Sequence, residues 1–138
     1  MAVMHATASP SPVPQQPYLR RAFALLTIVL LAYVSWEAFK ANPGGLNGPH
    51  IDKLLHFSAF LSLAISSFLA LVPGWRSAGQ VVAGLLLYGA LIEIVQAFIP
   101  GRDASVLDLL ADAAGLAAGL GLFAGLRRLP VLARLRWK

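Results

Sequence analysis

Three short polar patterns interrupt an otherwise apolar chain: Asp52-Lys53-x-x-His56-Phe57, Glu93-x-x-Gln96 and Arg102-x-x-Ser105-x-x-Asp108-x-x-x-Asp112. Between them they supply carboxylates, an imidazole, an ammonium and a guanidinium. These are the groups that move protons, hold phosphate oxygens and ligate hard cations. Asp52 and His56, Glu93 and Gln96, and Asp108 and Asp112 are each three or four residues apart, so each pair shares a face if it lies on a helix.

The surrounding sequence decides where such groups sit. The chain has 138 residues, of which 58% are hydrophobic and 12% charged, with mean hydropathy +0.72. That composition belongs to membrane proteins rather than to a soluble domain. There is no cysteine, which excludes disulfides, thiol nucleophiles and thiolate metal sites. A carboxylate in hydrocarbon costs roughly 2.5–3.5 kcal/mol on insertion scales, so each acid within a span is a functional candidate.

Breakers divide the chain. Residues 1–19 carry Pro10, Pro12, Pro14 and Pro17 and are expected to be disordered. Residues 20–126 form one membrane domain with spans at about 21–39, 53–72, 78–99 and 106–126, and residues 127–138 are a basic tail. Pro43 to Pro49, Pro73-Gly74 and Pro100-Gly101 separate the spans. Trp36, Glu37 and Phe39 stand where a signal-peptide cleavage site would need small residues, so the first span is expected to be retained. Each span is about 20 residues, or about 30 Å of helix, the thickness of a hydrocarbon core. The expected fold is all-α: an integral membrane antiparallel bundle of four transmembrane helices, with sequence neighbours adjacent in space.

Arg20, Arg21, Arg76 and the five basic residues of the tail lie at one side of this bundle, against Lys40, Lys53 and Arg102 at the other. The richer side is expected to be cytoplasmic, which puts both termini inside a bacterial cytoplasmic membrane and all six acids toward the outer face. The net charge of +5 and the pI near 10.3 then report a tail on anionic lipid rather than nucleic-acid binding.

Counted from the ends of these spans, Glu93 and Asp112 each lie about 9 Å below the outer boundary, where they are expected to face one another with His56 just above. Structural roles account for several of the others. Asp52 fits the N-cap of the second helix, Ser105 with Asp108 fits a capping box on the fourth, and Gln96 fits an interhelical hydrogen bond. Lys53 fits a snorkelling residue, and Arg102 a loop charge paired with Asp103. Glu93 and Asp112 have no evident capping role and carry the strongest functional argument. Gly115-x-x-x-Gly119 and Gly121-x-x-x-Gly125 read as close helix packing within the chain.

The ordered set D-K-x-x-H-F, E-x-x-Q and G-R-x-x-S-x-x-D-x-x-x-[N/D]-x-x-G across three consecutive spans resembles the VanZ-like family of small membrane proteins. The resemblance covers Asp52 to about Gly119 and implies a four-span helical membrane protein, in a family whose founding member is linked to teicoplanin resistance. It carries over the positions Asp52, Lys53, His56, Phe57, Glu93, Gln96, Arg102, Ser105, Asp108 and Gly115. Asp112 departs from the Asn of many members and adds a negative charge, which favours a cation or proton role there.

The residues fit an enzyme or binding protein acting on a lipid-linked or phosphate-bearing component of the envelope. Lys53 and Arg102 would hold the anionic group, with Asp52, Gln96 and Ser105 lining the site. His56 and Glu93 would transfer protons, and Asp108 and Asp112 would orient substrate or a divalent cation. A metal-dependent version uses His56, Glu93, Asp108 and Asp112 as ligands. The other class is an accessory subunit of envelope machinery, in which the polar residues set helix register and dock a partner. A proton- or ion-coupled carrier fits less well, because the carboxylates are confined to one half of the membrane.

Overall fold

A computed structural model describes residues 17–41, 49–71, 75–102, 104–126 and 128. They form four helices, α1 (Pro17–Ala38), α2 (Pro49–Leu71), α3 (Trp75–Gln96) and α4 (Val106–Leu126). All four are long and apolar enough to cross a membrane. The expectations for residues 1–16, for the loop before Pro49 and for all of the basic tail except Arg128 lie outside the described residues.

Three helices begin earlier than expected: α3 at Trp75 instead of residue 78, and α1 and α2 for one shared reason. Pro17, in the stretch expected to be disordered, and Pro49, in the expected loop, are each the first residue of a helix. Proline suits that position, because its φ is already helical and its missing N–H would have no partner there. Residues 17–19 are therefore helical rather than disordered, and Asp52 is not the N-cap of α2 but an acid in its first turn. There its charge meets the positive end of the helix dipole.

α3 ends at Gln96, three residues before the expected boundary. Phe98 N–H and Ile99 N–H bond back to the carbonyls of Val95 and Gln96 in tightened turns, as suits a residue preceding proline. Gly101 then takes φ +82°, a left-handed conformation that favours glycine. Glu93 consequently sits one turn from the end of its helix, shallower than expected.

Contacts along the helices fix their directions. Arg20 Nε donates to the Ala70 carbonyl at 3.0 Å, joining the start of α1 to the end of α2. Gln96 Nε2 donates to the Ala38 carbonyl at 3.2 Å, joining the ends of α3 and α1. α1 and α3 thus run one way, α2 and α4 the other, as an antiparallel bundle requires. The closest packing is nonetheless between α2 and α4, which are parallel and not consecutive. It depends on Gly115 and Gly119, whose Cα atoms lie against the α2 backbone at Phe57 and Leu61 and against the Ala64 side chain. The first small-residue motif is thus consumed within the chain, whereas a Cβ at Gly121 or Gly125 would meet no other part of the chain within 4 Å among the described residues.

α2 is the central helix. Its Phe60, Leu63, Ala64 and Phe68 are buried with Ala78 and Leu85 of α3 and Leu116 and Phe123 of α4. Phe68 stacks on Phe123 with centroids 5.2 Å apart. The outward faces carry exposed Leu25, Ile28, Tyr33, Leu87, Leu91 and Leu110, far more apolar surface than a water-soluble monomer tolerates and suited to lipid.

Candidate functional site

The ends of α1 and α3 and the beginnings of α2 and α4 meet at one end of the bundle, and the sequence-selected residues gather there. Because α2 and α4 are parallel and in close contact, the positive ends of both helix dipoles converge. Asp52 and Asp108, each in the first turn of its helix, answer them.

An ion pair and a histidine–carboxylate hydrogen bond join α2 to α4. Lys53 Nζ lies 3.1 Å from Asp108 Oδ1. One turn deeper, His56 Nδ1 is 2.9 Å from Asp112 Oδ1. Counted along the helix, Lys53 and His56 stand about 6 and 10 Å from the start of α2. Exposure separates the partners: the carboxylates of Asp108 and Asp112 are buried, 3% and 0% exposed, while Lys53 keeps 29% and His56 13% of its side chain accessible. The basic partners lie toward the surface and the acids behind them.

Asp112 fits because Gly89 of α3 has no side chain. A Cβ at that position would stand 2.7 Å from Asp112 Oδ2 and 3.0 Å from the Phe60 ring. Among the described residues, Asp112 Oδ2 and Glu93 Oε1 are buried without a hydrogen-bond partner. Gly89 escaped the sequence reading; its only signal was a glycine inside an apolar span, where it must be offset by a packing requirement.

Glu93 does something different from what was expected. Its Oε2 accepts the Ser105 backbone N–H at 2.7 Å, while Ser105 Oγ accepts the Leu107 N–H at 3.2 Å. The capping box of α4 is therefore completed across helices: Ser105 is its N-cap, but the reciprocal acid is Glu93 of α3, because Asp108 is drawn to Lys53. Glu93 thus has a capping role after all, which correlating residues within α4 alone does not reveal. Removing the hydroxyl, as in Ser105→Ala, is expected to cost about 1 kcal/mol of stability, readable as a lowered melting temperature in detergent, with Glu93→Gln nearer to wild type because its amide oxygen still accepts.

Arg102 reaches back across the bundle. Its Nε donates to the Lys40 carbonyl at 3.2 Å, and its Nη2 donates to the Glu37 carbonyl. It therefore caps the C-terminal end of α1, where a cation is favoured by the dipole. Its expected partner Asp103 lies outside the described residues. Gln96, bonded to Ala38, helps hold the same junction, as its expected interhelical role requires.

The expected set thus divides by what the side chains touch. Glu93, Gln96, Arg102 and Ser105 hold backbone groups at helix ends. Lys53, His56, Asp108 and Asp112 pair with one another between α2 and α4. Asp52 joins the second group: one ligand atom from each of Asp52, His56 and Asp108 lies within 4.8 Å of the other two.

A four-helix bundle of membrane-spanning length, with charged residues paired between parallel helices at one end, defines a multi-pass membrane protein. A protein-family description, VanZ/LLP1, matches residues 1–128. The chain belongs to the VanZ/LLP1 family. Comparison with curated proteins gave no match, and comparison with solved structures likewise gave none.

Proposed function

We propose that this chain binds a phosphate-bearing, lipid-linked component of the cell envelope at the bundle end where α2 and α4 begin. The observation that carries this is the arrangement of Lys53 and His56: they are basic and partly accessible in front of the buried carboxylates of Asp108 and Asp112, between two converging helix N-termini. Lys53 meets the phosphate. His56, oriented by Asp112, is placed to exchange a proton with it, as an imidazole held by a carboxylate does. In this reading the polar end faces outward and both termini are cytoplasmic, following the distribution of Lys and Arg. Glycopeptide susceptibility would change if the bound lipid is a cell-wall precursor.

The accessory-subunit alternative draws support from Glu93, Gln96 and Arg102, all of which bond to the backbone of another segment. Conservative changes there should then preserve function. The test is binding of purified protein to polyprenyl phosphate, measured by native mass spectrometry against the uncharged polyprenol. We expect phosphate-dependent binding that falls at least tenfold in Lys53→Ala and survives Glu93→Gln. Equal retention of the two lipids, or binding indifferent to Lys53, would sink the proposal and leave the packing role.

A further inference from the structure

We infer that Asp52, His56 and Asp108 form a site for a divalent cation of the zinc or manganese class, at the mouth between α2 and α4. The phosphate reading leaves a difficulty: Asp52, Asp108 and Asp112 stand around a single lysine and one imidazole, an excess of negative charge where an anion must approach. A cation removes it. The inference deepens that reading and rests on it only for the ion's role in carrying phosphate.

The geometry is close to what an ion needs. Donor atoms from the three residues lie within 4.8 Å of one another. Around one tetrahedral ion, with ligand bonds of about 2.0–2.2 Å, the donors stand about 3.5 Å apart, so the three side chains must draw together by about an ångström. Side-chain rotation closes that difference.

The second, independent observation is the hydrogen bond behind the histidine. A metal-ligating histidine donates its other ring N–H to a carboxylate, which fixes its tautomer and aims the free nitrogen. Here Nδ1 is taken by Asp112 Oδ1 at 2.9 Å, so the ion would be met by Nε2. Asp112, fully buried, is then a positioning residue rather than a ligand. Glu93 lies outside this group of three and its Oε2 accepts the Ser105 N–H, so this ligand set exchanges Glu93 and Asp112 for Asp52. One imidazole nitrogen and two carboxylate oxygens, with further positions open to phosphate oxygens, suit zinc or manganese better than a cage for calcium.

Lys53 enters as a competitor. Its ammonium holds Asp108 Oδ1 from a flexible, partly exposed stem. An ion on Asp108 displaces it toward the headgroup layer, where it meets the phosphate.

The test uses full-length, tag-free protein washed with chelator and titrated in detergent with Zn²⁺ and Mn²⁺, without phosphate lipid, by calorimetry and metal analysis. We expect one ion per chain. Asp52→Asn and Asp108→Asn should lower affinity at least tenfold, and Asp112→Asn roughly 10- to 100-fold through the histidine. Glu93→Gln should stay within threefold of wild type, and Lys53→Met should bind more tightly. Asp52 is partly exposed, so its variant folds and keeps the test decisive. No stoichiometric ion in the wild type, or wild-type affinity in Asp52→Asn, would overturn the site. Ion binding without polyprenyl phosphate binding supports the site and defeats only the headgroup reading; the reverse result defeats only the ion.

Discussion

Gly115→Leu is expected to cost about 3 kcal/mol, the upper part of the range for overpacking a tight interface, and to abolish binding at the polar end as well. Even a Cβ at this position would collide with the Phe57 carbonyl oxygen and stand 3.0 Å from the Leu61 nitrogen. Both are backbone atoms, which cannot rotate away. α2 and α4 would have to separate, and the Lys53–Asp108 and His56–Asp112 pairs, which cross that interface, would part with them. Gly121→Leu supplies the control: a Cβ there would meet no other part of the chain within 4 Å among the described residues, so thermal unfolding in detergent should leave it near wild type. Equal melting temperatures for the two variants would refute the packing described for α2 and α4.

The second large effect concerns the His56–Asp112 pair. Removing one partner of a buried pair costs roughly 3–5 kcal/mol, because the remaining charge keeps its desolvation penalty without its attraction. His56→Leu strands Asp112, which has no exposure and whose Oδ2 is already without a partner. It is therefore expected to be among the most destabilising single changes in the bundle. Adding Asp112→Asn should restore most of that loss, since a neutral amide is cheaper to leave partly unpaired. A double-mutant cycle on thermal or denaturant unfolding measures the coupling. Additive effects would mean that the 2.9 Å contact contributes nothing.

The four spans were legible because membrane thickness demands long apolar runs and because Pro73-Gly74 and Pro100-Gly101 punctuate them. The errors at Pro17 and Pro49 have a physical source: the same residue ends helices and starts them, and one sequence does not mark which. The residues of the polar cluster were legible as costly acids in apolar surroundings. Their partners were not, since pairing across helices depends on which helices touch. The parallel α2–α4 contact brought Lys53 to Asp108 and His56 to Asp112, whereas the expectation of adjacent sequence neighbours pointed toward Glu93 facing Asp112. Glu93 also supplies the missing half of a capping box through Oε2, and Arg102 also clamps the end of α1. Of the two roles open to Asp108, capping α4 or joining the polar cluster, its buried pairing with Lys53 favours the second.

The central claim is that the mouth between α2 and α4, rather than the lipid-facing surface, receives the phosphate. An experimental structure with bound polyprenyl phosphate tests this most directly. The account predicts phosphate density at about hydrogen-bonding distance from Lys53 Nζ, on the His56 side of α2. Density confined to Arg21 and Arg76 at the opposite end, with the Lys53–Asp108 pair undisturbed, would contradict it.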